Sequence, residues 1–173
     1  NGGAGSDTLT VTASLTGAVS LLGFTTTDIE NVQVAMVDGN AGAAHAVTLN
    51  LLTSTPDTVT VTGATATAGN ADTITVSNAS AATTLSMVGT ANIDGTINYN
   101  AAATLGTTST ATVNVSGVTR TAAGDSTVTV GAGIETLTIN STGSKSTLGN
   151  VVWGGANLAV TGSADLTVGE ATN

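Results

Sequence analysis

Apolar and small polar residues alternate with a period of two along most of this 173-residue chain. Successive side chains of a β-strand point to opposite faces, so this alternation indicates strands with one buried and one solvated face. Gly, Asn, Asp and Ser separate the alternating runs, as expected of turns. The pattern predicts strands at 8–12, 30–34, 46–51, 57–62, 72–77, 84–88, 96–100, 111–115, 126–130, 135–140, 157–161 and 165–168. The stretch 25–30 breaks the alternation and fits a short capped helical turn.

The core of this chain has to be built from small side chains. Aromatic residues make up only 2% of the sequence, whereas Val, Leu, Ile, Ala and Thr are abundant. Thin layers of small residues suit a β-solenoid or a flat sandwich, because each layer of these folds is narrow. We therefore predict an all-β fold, an irregular parallel β-solenoid similar to a β-roll, with β-sandwich domains as the alternative.

Two short units recur along the sequence. Five strands begin with an acidic or polar residue followed by Thr-rich alternation, at 7–11, 57–61, 72–76, 126–130 and 165–168. A second unit, Ile-Glu followed by alternating apolar residues, occurs at 29–34 and 134–139. The uneven spacing of the units is typical of a degenerate solenoid with loops of variable length. We expect residues 1–173 to form one elongated β-rich region of a larger protein, with a subdivision near 100–110 as the alternative.

The charge of the chain excludes several classes of partner. Lys and Arg total 2 against 11 Asp and Glu, which gives a formal net charge of -9. Such a chain repels phosphate backbones and has no basic patch for an anionic membrane surface. No apolar run approaches the roughly 18 residues that span a bilayer. The chain has no cysteine, which leaves calcium and contacts with neighbouring subunits as the candidates for additional stabilisation.

The first residues match the calcium nonapeptide G-G-x-G-x-D-x-U-x in full, where U is a large apolar residue. The match extends from Gly2 to Thr10. Its glycines permit positive φ angles and expose backbone carbonyls. Its Asp adds a carboxylate oxygen, the hard ligand that calcium prefers. A weaker copy occupies 68–75.

Together, the nonapeptide and the two recurring units resemble the RTX-type surface-layer proteins of Gram-negative bacteria, which type I secretion exports. The resemblance covers the whole chain in style and residues 2–10 in strict motif. It implies a secreted structural protein, not an enzyme, that assembles with copies of itself into a calcium-dependent two-dimensional lattice on the cell exterior. It also implies contact with cell-surface polysaccharide through another part of the parent protein. RTX calcium sites form between successive nonapeptides, and this chain has no tandem second copy.

Candidate calcium ligands follow from the nonapeptide and its weaker copy. The first candidate is Asp7, together with Gly3 and Gly5. Asp72 and Asn70 form the second set. Weaker candidates occupy similar positions at strand starts, where an Asp also stabilises a turn through its own backbone: Asp57, Asp125 and Asp165.

Other chemistry has less support in the sequence. No nucleophile elbow or oxyanion loop is recognisable. The scarcity of aromatics to stack sugar rings disfavours a glycosidase with paired carboxylates. His45, the sole histidine, has no Cys or second His to complete a zinc site and is expected at the surface. Trp153, beside two glycines, is expected to fill the core.

Two further functions stay open at this point. The chain would also suit the rigid stalk of a secreted RTX adhesin. Rows of outward Thr, such as Thr58 and Thr60 or Thr73 and Thr75, can order water as an ice-binding surface does. That function requires rows that align, and the irregular spacing of the strands argues against alignment.

Overall fold

The computed structural model describes residues 1–16, 19–21, 25–39, 42–64 and 70–173, with only the backbone at 19–21 and 64. These residues contain no helix and form two sheets of seven parallel strands each. The strands are β1 Thr8–Leu15, β2 Val19–Leu21, β3 Asn31–Asp38, β4 Ala46–Asn50, β5 Thr58–Ala64, β6 Asp72–Ala79, β7 Thr84–Val88, β8 Ile93–Tyr99, β9 Thr110–Ser116, β10 Val128–Val130, β11 Thr136–Ser141, β12 Ser146–Val152, β13 Asn157–Gly162 and β14 Leu166–Thr172.

The strands alternate between the two sheets along the chain. The odd-numbered strands form one sheet, in the order β1-β3-β5-β7-β9-β11-β13, and the even-numbered strands form the other. Each turn of the chain therefore adds one strand to each sheet, which is a two-sheet parallel β-solenoid. The predicted fold class is confirmed. The segment 100–110 joins β8 to β9, and both sheets continue across it.

All twelve predicted strands are present, with ends that differ by up to four residues. Two strands, β2 and β12, were not predicted from the alternation. The predicted helical turn at 25–30 is wrong. Its polar groups form hydrogen bonds with the next turn of the solenoid instead. The Thr26 N–H donates to Ser54 Oγ at 2.9 Å, and the Thr25 hydroxyl donates to the Thr53 hydroxyl at 3.2 Å.

The core lies between the sheets and consists of aligned rows of aliphatic residues. In the odd sheet, Val32 pairs with Val59 and Val59 with Leu85, and all three are fully buried. In the even sheet, Val47 and Ile74 pair and are equally buried. Burying such a side chain contributes about 1.5–3 kcal/mol, so the stacked rows supply the main stabilisation of each turn.

Successive strands stay aligned in register although the loops between them differ in length. Neighbouring residues Asp94 and Thr127 are 33 positions apart, whereas Thr136 and Asn157 are 21 apart. Outward residues nevertheless align: a row of threonines crosses β4, β6, β8 and β10, namely Thr48, Thr75, Thr96 and Thr129. Irregular spacing in the sequence therefore does not prevent aligned Thr rows, contrary to the argument from the sequence.

Apolar residues of the last two strands are less buried than those of the preceding turn. Val160 in β13 pairs with the fully buried Ile139 of β11, yet it is 58% exposed. Leu158 and Val168 in the last two strands are also only partly buried.

Trp153 packs into the core as expected, with 8% of its surface exposed. Among the described residues, no helix has the length and apolar character to cross a membrane.

Candidate metal sites

Three acidic residues directly precede successive strands of the odd sheet. Asp7, Glu30 and Asp57 come before β1, β3 and β5, and the register of these strands places them in one row, the N-terminal acidic row. Adjacent strands are about 4.8 Å apart, so the carboxylates repel one another at short range. Both basic residues of the chain, Arg120 and Lys145, belong to later turns.

Hydrogen bonds link the residues of the row. The Asp7 N–H donates to Glu30 Oε2 at 2.7 Å. The Asn31 N–H donates to the Asp7 carbonyl at 3.0 Å, and the Asp57 N–H donates to the Glu30 carbonyl at 2.8 Å. The backbone therefore holds the three acidic residues in a defined order, one turn above another.

The Asp7 carboxylate has an unsatisfied oxygen. Its Oδ2 is buried and has no hydrogen-bond partner. Gly2 leaves room for it: a Cβ at Gly2 would meet Asp7 Oδ2 at 2.6 Å and would collide with the carbonyl oxygen of Asp28. A buried carboxylate oxygen without a partner costs free energy. Carboxylate and backbone carbonyl oxygens are the ligands that calcium takes, and the surroundings of Gly2 offer one of each, Asp7 Oδ2 and the Asp28 carbonyl oxygen.

The nonapeptide glycines have the backbone angles that the motif requires. Gly3 has φ 92° and Gly5 has φ 133°, values that residues with a side chain rarely adopt. Both are exposed, and no atom lies within 4 Å of a Cβ placed on either one. Backbone conformation alone, and not lack of space, therefore requires glycine at these two positions.

A cavity of about 250 Å³ opens beside the N-terminal acidic row. Three carboxylates line it, those of Asp28, Glu30 and Asp57. The other lining residues are Thr26, Ile29 and Thr55. The oxygens of these three carboxylates do not all lie within 4.8 Å of one another. In the described part of the chain, one group of three His or acidic side chains does meet this distance, and it lies elsewhere. A cation in this cavity would be held through side-chain adjustment or through water.

That other group consists of Asp38, His45 and Asp72, here called the His45 cluster. The His45 N–H donates to Asp72 Oδ1 at 2.8 Å, and His45 Nδ1 lies 3.2 Å from the same oxygen. Asp38 Oδ1 lies 3.9 Å from His45 Nδ1. The three side chains are between 1% and 4% exposed. The expectation that His45 lies at the surface is wrong, because the chain before β4 turns it towards the carboxylate that begins β6.

The position of Asp72 explains why the cluster is internal. Asp72 lies on the same face of β6 as Ile74 and Val76, and all three are fully buried. The period of two therefore already marks Asp72 as an inward residue. A buried carboxylate needs a hydrogen-bonding partner, and His45 provides one. Asn70, its predicted companion as a ligand, is half-buried and lies two residues before Asp72, the first residue of β6.

The weaker candidate ligands occupy separate turns. Asp57 and Asp165 are exposed. Asp125 is 3% exposed, and its Oδ2 accepts the Ala122 N–H at 3.0 Å, which closes a turn. The structure thus brings Asp7 and Asp57 into one row, places Asp72 in the His45 cluster, and leaves Asp125 and Asp165 apart from both.

No family model, curated protein or solved structure matches this chain. The fold defines a class, the two-sheet parallel β-solenoid.

Proposed function

We propose that this chain is a structural β-solenoid of a bacterial surface layer, which assembles with copies of itself and is stabilised by calcium at the N-terminal acidic row. The observation that carries the proposal is the N-terminal acidic row, where three carboxylates precede adjacent strands and the buried Asp7 Oδ2 has no hydrogen-bond partner.

The low charge of the chain supports association between copies. Natural edge strands are usually blocked by charge or Pro, and this chain has 8% charged residues and 1 Pro. Wherever a sheet of the protein ends, its edge strand is therefore open to pairing with another copy. A head-to-tail contact of this kind is heterologous, so it produces open rows of subunits. Lateral contacts between rows would complete a two-dimensional lattice.

Calcium enters the proposal through charge and through the unsatisfied oxygen of Asp7. A divalent cation at the N-terminal acidic row would relieve the repulsion among its carboxylates and give Asp7 Oδ2 a partner. Extracellular calcium sites have Kd values of roughly 10⁻⁴–10⁻³ M. Millimolar calcium would therefore stabilise the fold by about 1 kcal/mol. Secretion and a location on the cell exterior belong to the same proposal, since calcium reaches such concentrations outside cells.

The test compares the melting temperature and the sedimentation of the protein in millimolar calcium and in chelator. We expect calcium to raise the melting temperature and the assembled fraction of the wild type, and magnesium to replace it poorly because of its stricter octahedral geometry. Asp7→Asn should lose this response. Asp165→Asn is the matched control, because Asp165 is an exposed carboxylate near another strand start, and it should respond like the wild type. Equal melting temperature and equal size in calcium and chelator would overturn the proposal.

The aligned threonine row favours one second candidate, an ice-binding face. Thr48, Thr75, Thr96 and Thr129 lie at the same level of four adjacent strands. The neighbouring row of the same face contains Asp94 between Thr73 and Thr127, and this charge interrupts the ordered surface. Arrest of ice growth by the wild type, lost in Thr96→Lys, would favour this candidate over the surface layer.

A further inference from the structure

The His45 cluster encloses two carboxylates and one imidazole in the protein interior. Acidic side chains outnumber the imidazole in this cluster by two to one. Arg120 and Lys145, the only Arg and Lys of the chain, belong to later turns. Burying carboxylate charge is costly. The arrangement therefore favours an additional cation.

A second observation indicates where that cation binds. Asp72 is fully buried, and its Oδ1 receives both contacts from His45. Its Oδ2 is buried as well and has no hydrogen-bond partner. Buried polar atoms nearly always have a partner, and exceptions call for an explanation. A metal ion ligated by the Asp72 carboxylate would provide that explanation.

We propose that the His45 cluster binds one divalent ion of the zinc type, independently of the calcium proposed at the N-terminal acidic row. Zinc accepts imidazole nitrogen and carboxylate oxygen at about 2.0–2.2 Å, so two of its ligands are at most about 4.4 Å apart. His45 Nδ1 lies 3.2 Å from Asp72 Oδ1 and 3.9 Å from Asp38 Oδ1. One ligand atom from each of the three residues lies within 4.8 Å of the other two.

The ligand set distinguishes zinc from the alkaline-earth ions. Calcium and magnesium take oxygen ligands, whereas imidazole suits zinc and its transition-metal neighbours. Three protein ligands leave a fourth tetrahedral position for water. The chain has no Cys and no second His to complete a zinc site, and the two Asp residues supply the missing ligands.

The proposed site would join three separate segments of the solenoid. Asp38 ends β3 of the odd sheet, His45 precedes β4, and Asp72 begins β6 of the even sheet. A bound ion would therefore fasten the two sheets at one corner, in a chain that has no disulfide. No ligand of this site belongs to the N-terminal acidic row, so each site can be tested without the other.

The experiment titrates metal-free full chain with zinc against a competing chromogenic chelator. We expect one equivalent bound by the wild type and binding weakened more than about 100-fold by His45→Gln, since even loss of an outer-shell partner costs 10–100-fold. Asp57→Asn, an exposed carboxylate of the N-terminal acidic row, is the matched control and should keep wild-type zinc affinity. Asp7→Asn should also keep wild-type zinc affinity, because Asp7 belongs to the proposed calcium site and not to the His45 cluster.

A second measurement covers the case in which His45→Gln does not fold. His45 is the only histidine, so its ring resonances in the wild-type NMR spectrum are unambiguous. One equivalent of zinc should shift them, and cobalt, as a paramagnetic substitute, should shift them much further. Ring resonances that stay unchanged at one equivalent, or stoichiometric binding that His45→Gln retains, would overturn the proposal.

Discussion

Asp94 illustrates how a single outward residue can reduce the stability of the solenoid. It lies in β8, is half-buried, and its Oδ1 accepts the Thr127 N–H at 2.8 Å. Burial raises the pKa of Asp94; the hydrogen bond from Thr127 opposes this, and the nearby charge of Asp125 raises the pKa further. The ionised carboxylate is therefore less favourable in the folded state than in the unfolded state.

We expect Asp94→Asn to raise the melting temperature at pH 7. With a folded-state pKa above the unfolded value, the folded protein binds more protons between the two pKa values, so stability falls as pH rises through that window. At neutral pH the ionised Asp94 carboxylate therefore still lowers the free energy of unfolding. Asn keeps an oxygen that accepts the Thr127 N–H but carries no charge. Thermal denaturation from pH 3 to pH 8 should show a difference that disappears in acid; a variant less stable than wild type at pH 7 would contradict this.

At the scale of elements, the repeated Ile-Glu unit has one structural role in two places. Glu30 Oε2 accepts the Asp7 N–H and Glu135 Oε2 accepts the Ser109 N–H, both at 2.7 Å. In each case the donor directly precedes the adjacent strand of the previous turn. The isoleucine before each Glu packs on the core. The unit thus anchors a strand start with its apolar residue and satisfies a neighbouring backbone N–H with its carboxylate.

We expect Glu135→Ala to destabilise the protein by about 1–2 kcal/mol, because hydrogen bonds to charged groups contribute about 1.5–3 kcal/mol and this one is only partly buried. Glu135→Gln should recover part of the loss. Glu170→Ala, at an exposed Glu of β14, is the control and should remain within about 0.5 kcal/mol of wild type. Urea denaturation measures all three. A Glu135→Ala variant as stable as this control would contradict the assigned role.

Strand β12 shows why an element can escape prediction. Gly149 interrupts its alternation, and a Cβ at that position would collide with the carbonyl of Asp125 and meet the Cα of Gly124 at 3.1 Å. The loop at 124–125 thus packs directly on the strand. Glycine is present because of this long-range contact, and a local pattern cannot reveal it.

For the whole molecule, the proposed assembly would bring exposed apolar residues into contact between copies. We expect Val160→Lys to reduce the assembled fraction strongly while changing the free energy of unfolding little, because Val160 is 58% exposed in the isolated chain. A charge introduced in β13 would oppose contact with another copy. Val88→Lys is the matched control, because Val88 is 40% exposed in the central strand β7. Sedimentation velocity compares the variants; equal association of Val160→Lys and wild type would show that Val160 is not in the contact.

The sequence alone determined the all-β class, the two-face character of the strands and the positions of twelve of them. Each of these properties depends on neighbouring residues, because alternate side chains of one strand must face either core or solvent. The positive φ angles of Gly3 and Gly5 are equally local. For the same reason, the inward position of Asp72 was already implied by its spacing from Ile74 and Val76.

Only the tertiary structure decided which distant residues meet. Asp38, His45 and Asp72 come from three segments, and their contact depends on how successive turns stack. The same holds for the Thr rows, which align although neighbouring residues are 21 positions apart in one turn and 33 in another. Hydrogen bonds between strands and the packing of the aliphatic core set the register, and the loops absorb the difference in length. Spacing along the chain therefore does not predict which residues become neighbours.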